Sequence, residues 1–250
     1  MIMTEKERFL LARCSLENDH LRYNIGTYKE RSQHMILKLF YEPDIAYHEV
    51  PFEGYVADIL NQKGIIEIQT AAFRSLNEKM AVFLQSFPVT VVFPVAEKKR
   101  VVWTDPETGE TEEGVYRTYP KSKYKILSEL LSVVDHFGDR NFCVHMLLLK
   151  STQCKMKDGY GKDKKKKATK TDTVPDELMD RVILNNADDI RAMLPFDIGS
   201  RLTTAEISSA LGLRRVSLWR AVKFLTITEI LAPVGKKGNS IIYEVSKTLE

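Results

Sequence analysis

The chain lacks the features that define several large classes of protein. Its three cysteines, Cys14, Cys143 and Cys154, show no CxxC spacing, so neither a disulfide framework nor a structural zinc site is expected. Its most apolar stretches, Val89–Ala96 and Phe142–Leu149, are too short to cross a bilayer. No signal-peptide hydrophobic region follows the first methionine. We therefore expect a cytoplasmic protein that does not enter a membrane.

Several motifs that identify enzyme classes are absent as well. The sequence contains no GxxxxGK[ST] phosphate loop, no GxGxxG, no GxSxG and no HExxH. What remains is an ordinary globular composition of 250 residues, with 44% hydrophobic and 28% charged residues. This length suits one large domain or two modest ones.

The positive charge of the chain is concentrated in its C-terminal half. The formal net charge is +3, yet residues 155–170 alone contain eight lysines and two aspartates. Residues 201–250 contain eight basic and four acidic residues. These two zones are where attraction to a polyanion such as nucleic acid is expected.

Hydrophobic periodicity predicts an α/β protein with a mixed sheet flanked by helices. The prediction assigns residues 1–154 to this first domain, 155–175 to a lysine-rich loop or linker, and 176–250 to a second domain with a leading helix over 176–194. The expected order in the first domain is helix 4–13, helix 28–41, strands 45–50, 54–60 and 64–70, helix 71–87, strands 88–95 and 100–103, helix 123–137 and strand 142–149.

The last fifty residues have the pattern of a winged helix-turn-helix. Thr203 and Glu206 form a capping box, Gly212 supplies a turn between two helices, and a hairpin follows. Trp219 is assigned to the apolar core side of the second helix. The residues expected to contact nucleic acid are basic or polar and lie on the second helix and the hairpin tip: Arg214, Arg215, Ser217, Arg220, Lys223, Lys236 and Lys237. DNA is the favoured partner, and a homodimer or another protein contact is the alternative use of such a module.

The most informative segment runs from Asp58 to Gln69. If it forms a hairpin centred on Gln62 and Lys63, then Asp58 lies opposite Glu67, with Gln69 on the same face as Glu67. Two carboxylates this close repel each other, and a divalent cation is the usual compensation. The structural alternative is that Asp58 ends a strand and caps a turn, while Glu67 and Gln69 lie on a solvated face.

These residues resemble the PD-(D/E)XK superfamily of restriction-endonuclease-like nucleases. The order helix, three-strand meander, helix, strand resembles that family's core, with Asp58 and the segment Glu67-Ile68-Gln69 at the positions of its motif. The resemblance implies Asp58 and Glu67 as ligands of Mg²⁺ or Mn²⁺, and Glu30 as the extra acidic residue of the first helix. It implies a metal-dependent nuclease, of the endodeoxyribonuclease type.

The sequence departs from that family at the motif lysine, which is Gln69 here. An amide can hydrogen-bond a water or a phosphate oxygen but carries no charge, and some members of the superfamily supply the lysine from the following helix. Lys79 is the candidate for that role, with a solvated surface lysine as the alternative. His34, one turn after Glu30, could join the same site or be an ordinary polar residue. A catalytically inactive, nuclease-like DNA-binding or regulatory protein is the alternative function.

Overall fold

A computed structural model of the protein describes residues 3–22, 32–70, 72–160, 167–238 and 240–247. The helices are α1 (Glu5–Arg22), α2 (Ser32–Tyr41), α3 (Leu76–Phe83), α4 (Ile126–Leu130), α5 (Ala187–Met193), α6 (Thr204–Leu211) and α7 (Arg215–Ile227). The strands are β1 (His48–Phe52), β2 (Tyr55–Asn61), β3 (Gly64–Ile68), β4 (Val89–Thr104), β5 (Thr111–Glu113), β6 (Arg117–Thr118), β7 (Phe142–Met156), β8 (Thr169–Leu184), β9 (Arg201–Thr203), β10 (Leu231–Lys237) and β11 (Ser240–Val245). Short 3₁₀ helices cover Ile45–Tyr47, Phe73–Ser75, Pro120–Lys125 and Leu131–His136.

The main sheet is mixed and has the strand order β1-β2-β3-β4-β7-β8, with β5 and β6 paired to the far half of β4. The pairs β1–β2, β2–β3 and β7–β8 are antiparallel, whereas β3–β4 and β4–β7 are parallel. Parallel strands need helices over both faces to bury them. The predicted class, a mixed sheet with flanking helices, is therefore confirmed at this level.

Each face of the sheet has its own hydrophobic core. The first core packs α3, α4 and the C-terminal helices against the sheet through residues such as Ile65 and Val91. The second core packs α1 and α2 against the other face, where Ile68 and Val92 lie. Alternate residues of β3 and β4 thus serve opposite cores, as the period of two in a strand requires.

The register of the β2–β3 hairpin matches the sequence prediction. Asn61 pairs with Gly64 and Ile59 pairs with Ile66. Gly64 has φ +122°, and a Cβ at this position would lie 2.3 Å from the carbonyl oxygen of Pro88. Only glycine fits here, since any side chain would push β3 away from β4. The requirement for glycine at position 64 therefore fixes the register of the β2–β3 hairpin.

The segment predicted as a linker and a leading helix has a different structure. β7 extends to Met156 and β8 runs from Thr169 to Leu184, so most of residues 169–184 form the last strand of the sheet. A bulge near Met179, where the register with β7 shifts, breaks the alternation and imitates helical spacing. Pro175 is tolerated because β8 is an edge strand. Helix forms only at α5, after a capping box at Asn186.

The C-terminal unit, defined here as residues 201–245, has two helices joined at Gly212 and a small sheet of order β10-β11-β9. The predicted capping box of Thr203 and Glu206 is present. The buried side chains of α7, among them Phe224 and Leu225, belong to the same hydrophobic core as α4. The unit therefore packs directly against the body of the protein.

Candidate active site

Three carboxylates lie in one row across neighbouring strands. The pairs His48 with Ile59 and Val50 with Ala57 place Glu49 opposite Asp58 in the β1–β2 hairpin. The β2–β3 register, continued by one residue beyond Ile59, places Asp58 opposite Glu67. The row is thus Glu49, Asp58 and Glu67, one from each strand of the meander.

Asp58 and Glu67 are joined by hydrogen bonds that replace the strand ladder at this point. The backbone N–H of Asp58 donates to Oε1 of Glu67 at 3.1 Å. The backbone N–H of Ile68 donates to Oδ2 of Asp58 at 2.7 Å. The Glu67 carboxylate therefore contacts the backbone of Asp58, and Asp58 lies within β2 rather than at its end.

Glu67 is a buried carboxyl held by a lysine. It is 1% exposed, and Nζ of Lys79 lies 2.7 Å from its Oε2. Burial raises the pKa of Glu67 to about 7; the charge of Asp58 adds to the rise and Lys79 opposes it. Lys79, on α3, is therefore placed beside the motif carboxylate rather than in solvent, and this placement differs from that of an ordinary surface lysine.

His34 of α2 contacts the central carboxylate. Its Nε2 lies 3.2 Å from Oδ2 of Asp58. Burial alone would raise the pKa of Asp58, but the hydrogen bond and charge of His34, the N–H of Ile68 and the charge of Lys79 together lower it below its usual value. Asp58 is therefore held as a carboxylate, in contrast to its neighbour Glu67.

Glu49 was missed by sequence reasoning. Its Oε1 lies 2.6 Å from Nζ of Lys38, a lysine of α2 that is almost completely buried. Glu49 has φ +51°, a left-handed conformation that is uncommon for glutamate within a strand. The pairing argument that related Asp58 to Glu67, applied to the preceding hairpin, would have found it.

A set of three side chains could bind one metal ion. Ligand atoms of His34, Glu49 and Asp58 lie within 4.8 Å of one another. Two carboxylates and an imidazole are a donor set that divalent cations accept, and the imidazole favours Mn²⁺ over Mg²⁺. The set differs from the predicted pair of Asp58 and Glu67, since Glu67 is engaged by Lys79.

The two remaining residues of the predicted site are Gln69 and Glu30. Gln69 is half-buried at the end of β3, and its backbone N–H donates to the carbonyl oxygen of Val92 at 2.9 Å. Strand alternation places its side chain on the face of Glu67. Glu30 lies outside the described residues.

The residues predicted to contact nucleic acid divide into two groups. Six of them are exposed on α7, just before it, or on the β10–β11 hairpin: Arg214, Arg215, Ser217, Lys223, Lys236 and Lys237. Arg220 differs from the prediction, because its Nε donates to the carbonyl oxygen of Ser128 at 2.8 Å and its Nη2 to Oγ of Ser132 at 2.7 Å. Arg220 therefore points to α4 and attaches α7 to the body of the protein.

Trp219 also differs from the prediction, which placed it in the core. It is 58% exposed, and Nζ of Lys223 lies 5.1 Å from the centroid of its ring. The core side of α7 is formed instead by Ala221, Phe224 and Leu225. An exposed indole next to a lysine, on the helix that carries the basic residues, can stack on an aromatic base.

The fold defines an α/β protein, and sequence comparison gives its family. The family profile DUF8091, a domain of unknown function, matches residues 31–185. The chain therefore belongs to the DUF8091 family. The matched segment covers the main sheet with α2, α3 and α4, and it ends next to the last residue of β8.

The relatives do not add a biochemical activity. The chain is 27% identical over 146 residues to an uncharacterized protein of Treponema pallidum (strain Nichols), an alignment that covers 57% of each chain. The chain thus spans a little over half the length of the curated relative it matches. No solved structure matches the chain. Among the described residues, no helix is long and apolar enough to cross a membrane.

Proposed function

We propose that the protein is a metal-dependent nuclease whose active site is the carboxylate row across the first three strands. The observation that carries the proposal is the hydrogen bond from the backbone N–H of Asp58 to the carboxylate of Glu67, with Nζ of Lys79 2.7 Å from the same carboxylate. Helix, antiparallel meander, helix and parallel strand surround this row, in the order of the PD-(D/E)XK core. We take Asp58 and Glu67 of this row to occupy the positions at which that family holds its metal.

Asp58, with His34 and Glu49, would hold Mg²⁺ or Mn²⁺. A cation bound there would supply positive charge that stabilises a phosphoryl group and lowers the pKa of a bound water. Glu49 can contribute its second oxygen, since Oε1 is the oxygen that accepts from Lys38.

The other catalytic roles would fall to Glu67, Lys79 and Gln69. Glu67, whose pKa is about 7, suits the role of proton acceptor for an attacking water at neutral pH. Lys79 carries the positive charge that the motif lacks at Gln69, and its ammonium can donate to a phosphate oxygen. The Gln69 amide can orient the water by hydrogen bonding.

The C-terminal unit would position the substrate as a winged helix. The exposed basic residues of α7 and of the hairpin suit contact with the phosphates of DNA. Trp219 and Lys223 form an exposed pair on the same helix. Because phosphate contacts carry no sequence information, this set supports backbone binding rather than recognition of a particular sequence.

One observation favours the alternative of a catalytically inactive, DNA-binding or regulatory protein. Each acid of the row has a basic partner: Glu49 with Lys38, Asp58 with His34, and Glu67 with Lys79. These three contacts place a basic side chain against each acid of the row without a metal. In that alternative, the same surface binds nucleic acid but does not cleave it.

The test is incubation of the full chain with single-stranded, duplex and branched DNA and with RNA, in the presence of Mg²⁺ or Mn²⁺. Asp58→Asn and Glu67→Gln preserve shape but remove charge, and each is expected to reduce cleavage at least about 100-fold. Calorimetric titration with Mn²⁺ gives a second measurement. Asp58→Asn should weaken Mn²⁺ binding, whereas Glu67→Gln should affect it less, because Glu67 is held by Lys79.

The matched control is Glu53→Gln, in the exposed turn between β1 and β2. It removes one carboxylate from the same hairpin, and its cleavage rate should equal that of the wild type. If no substrate is cleaved with either metal while DNA is still bound, the inactive alternative is correct. Cleavage that is unchanged in Asp58→Asn would reject this site.

A further inference from the structure

A cavity lies at the junction between the body and the C-terminal unit. Its volume is about 570 Å³, and it is bounded by the middle of β4, the segment from Thr118 to Lys125, and the turn at Gly212 and Leu213. This size lies within the range of small-molecule sites. The cavity lies apart from the carboxylate row, since none of its lining residues contributes to that row.

The cavity is lined by lysines that are not neutralised. Lys99 and Lys125 both line it, and among the described residues no carboxylate oxygen lies within ion-pair distance, 4.0 Å, of either ammonium. Burial lowers the pKa of Lys99, and the positive charges of Lys125 and Lys155 lower it further. A group of like charges at a partly buried place costs free energy, and binding an anion would remove that cost.

The walls of the cavity suit a ligand with a flat apolar part next to its charge. Tyr119 lines the cavity and is 41% exposed, with Nζ of Lys99 5.1 Å from its ring centroid. Ala96 and Leu213 add apolar surface. An aromatic ring beside an ammonium offers a surface for stacking and a charge for a phosphate within one small volume.

The cavity lies where the segment that contains Lys121 packs against the C-terminal unit. Nζ of Lys121 donates to the carbonyl oxygen of Ser209, in the last turn of α6, at 2.7 Å. Gly212 has φ +66°, and a Cβ there would lie 3.2 Å from Cβ of Lys121. A ligand in the cavity would therefore touch both the body and the helix-turn-helix.

We propose that this cavity binds the terminal phosphate of a nucleotide, with Lys99 and Lys125 pairing with the phosphate and Tyr119 contacting the base. The nucleotide is either free or the 5′-terminal one of a nucleic acid strand. A terminal phosphate carries a charge of about −2 near neutral pH, which matches two ammonium groups better than a phosphodiester does. This binding is independent of metal binding at the carboxylate row.

The experiment measures binding to the full chain in EDTA by calorimetry. The probes are AMP, pyrophosphate, and one 12-mer oligonucleotide with either a 5′-phosphate or a 5′-hydroxyl. Binding of AMP identifies the free nucleotide as ligand. A clear preference for the 5′-phosphorylated oligomer, with weak binding of AMP, identifies the strand end.

Lys99→Gln and Lys125→Gln should each weaken binding of the preferred probe at least tenfold. The control is Lys6→Gln on α1, an exposed lysine far from the cavity, which makes the same change in net charge and should bind as the wild type does. Thermal denaturation without ligand separates binding from folding, because removing one of several repelling lysines should leave the melting temperature equal or higher. Lys125→Glu, which can pair with Lys99, is the second variant and should also lose binding.

Two outcomes overturn the proposal. The first is equal affinity for the 5′-phosphorylated and 5′-hydroxyl oligomers with no binding of AMP or pyrophosphate. The second is a loss of affinity in Lys6→Gln that equals the loss in Lys99→Gln. Asp58→Asn should keep full AMP or 5′-phosphate binding, so failure of the proposed nuclease activity and failure of this binding can be told apart.

Discussion

The ammonium of Lys79 lies 2.7 Å from Oε2 of Glu67, a carboxyl that is 1% exposed at the end of β3. Glu67 comes from the sheet and Lys79 from the following helix, so this pair joins two layers of the fold. Removing one partner of a buried pair leaves the other without compensation, which costs more free energy than an exposed pair would.

Lys79→Met should therefore destabilise the protein by about 2–4 kcal/mol at pH 8. The loss should be smaller at pH 5, where Glu67 is protonated and needs no cation. Urea denaturation at the two pH values measures this. Adding Glu67→Gln to Lys79→Met should restore most of the lost stability, and a double variant as unstable as the single one would contradict the ion-pair explanation.

The raised pKa of Glu67 predicts a pH dependence of folding in EDTA. The folded protein binds this proton more tightly than the unfolded chain does, because the pKa rises from 4.5 to about 7 on folding. The stability from this group is complete below pH 4.5 and is lost as the pH rises through 7, by on the order of 2–3 kcal/mol. The difference between wild type and Glu67→Gln should show this slope; parallel curves would refute it.

His145 predicts the opposite dependence. Its Nδ1 lies 3.0 Å from the hydroxyl of Tyr41, and burial, aided by the charge of Arg181, lowers its pKa from 6.5 to about 4. The stability from this group is present above pH 6.5 and is lost as the pH falls toward 4, by on the order of 2–3 kcal/mol. His145→Gln cannot gain a proton, so its unfolding free energy should decline less over this range than that of the wild type.

Arg220 should matter for stability rather than for binding. It makes charged hydrogen bonds to Ser128 and Ser132, so Arg220→Met should cost about 1–3 kcal/mol in urea denaturation. Lys223→Gln, three residues along the same helix and exposed, should change stability by less than about 0.5 kcal/mol. If Lys223→Gln proves as destabilising as Arg220→Met, the attachment of α7 through Arg220 is not specific.

Nucleic-acid binding should depend on the exposed residues of α7 and the hairpin rather than on Arg220. Lys223→Gln and Lys237→Gln should each weaken binding of duplex DNA and lower the slope of log affinity against log salt by about 1. Trp219→Ala should weaken the binding of single-stranded DNA more than the binding of duplex DNA, because stacking needs an unpaired base. Arg220→Met should leave the salt slope unchanged. Fluorescence anisotropy at several salt concentrations measures all four variants.

The sequence was sufficient for the hairpin that carries Asp58 and Glu67, and for its register. The two strands and their two-residue turn lie within the fourteen residues Tyr55–Ile68, and a strand alternates its faces with a strict period of two. Glu49 was predictable from the same rule, since β1 and β2 are also joined by a short turn. What the rule could not show is the bent backbone of Glu49 at φ +51°.

Contacts between residues far apart in the chain could not be predicted from the sequence. Residues 169–184 become a strand because β7 offers an unpaired edge, and a bulge hides the alternation. Arg220 and Trp219 lie next to each other on one helix, and only the position of α4 decides that the arginine turns inward and the tryptophan stays exposed. Both errors concern which surface a residue meets, which local spacing does not encode.

The sequence by itself therefore determined the α/β class, the strand pairing of the candidate site and the capping of α6, because each depends on residues a few positions apart. The tertiary structure alone decided that Lys79, His34 and Lys38 each meet one acid of the row, and that Lys99 and Lys125 share a cavity with the turn at Gly212. The physical reason is that charges interact across space within a few ångströms, whatever their separation along the chain.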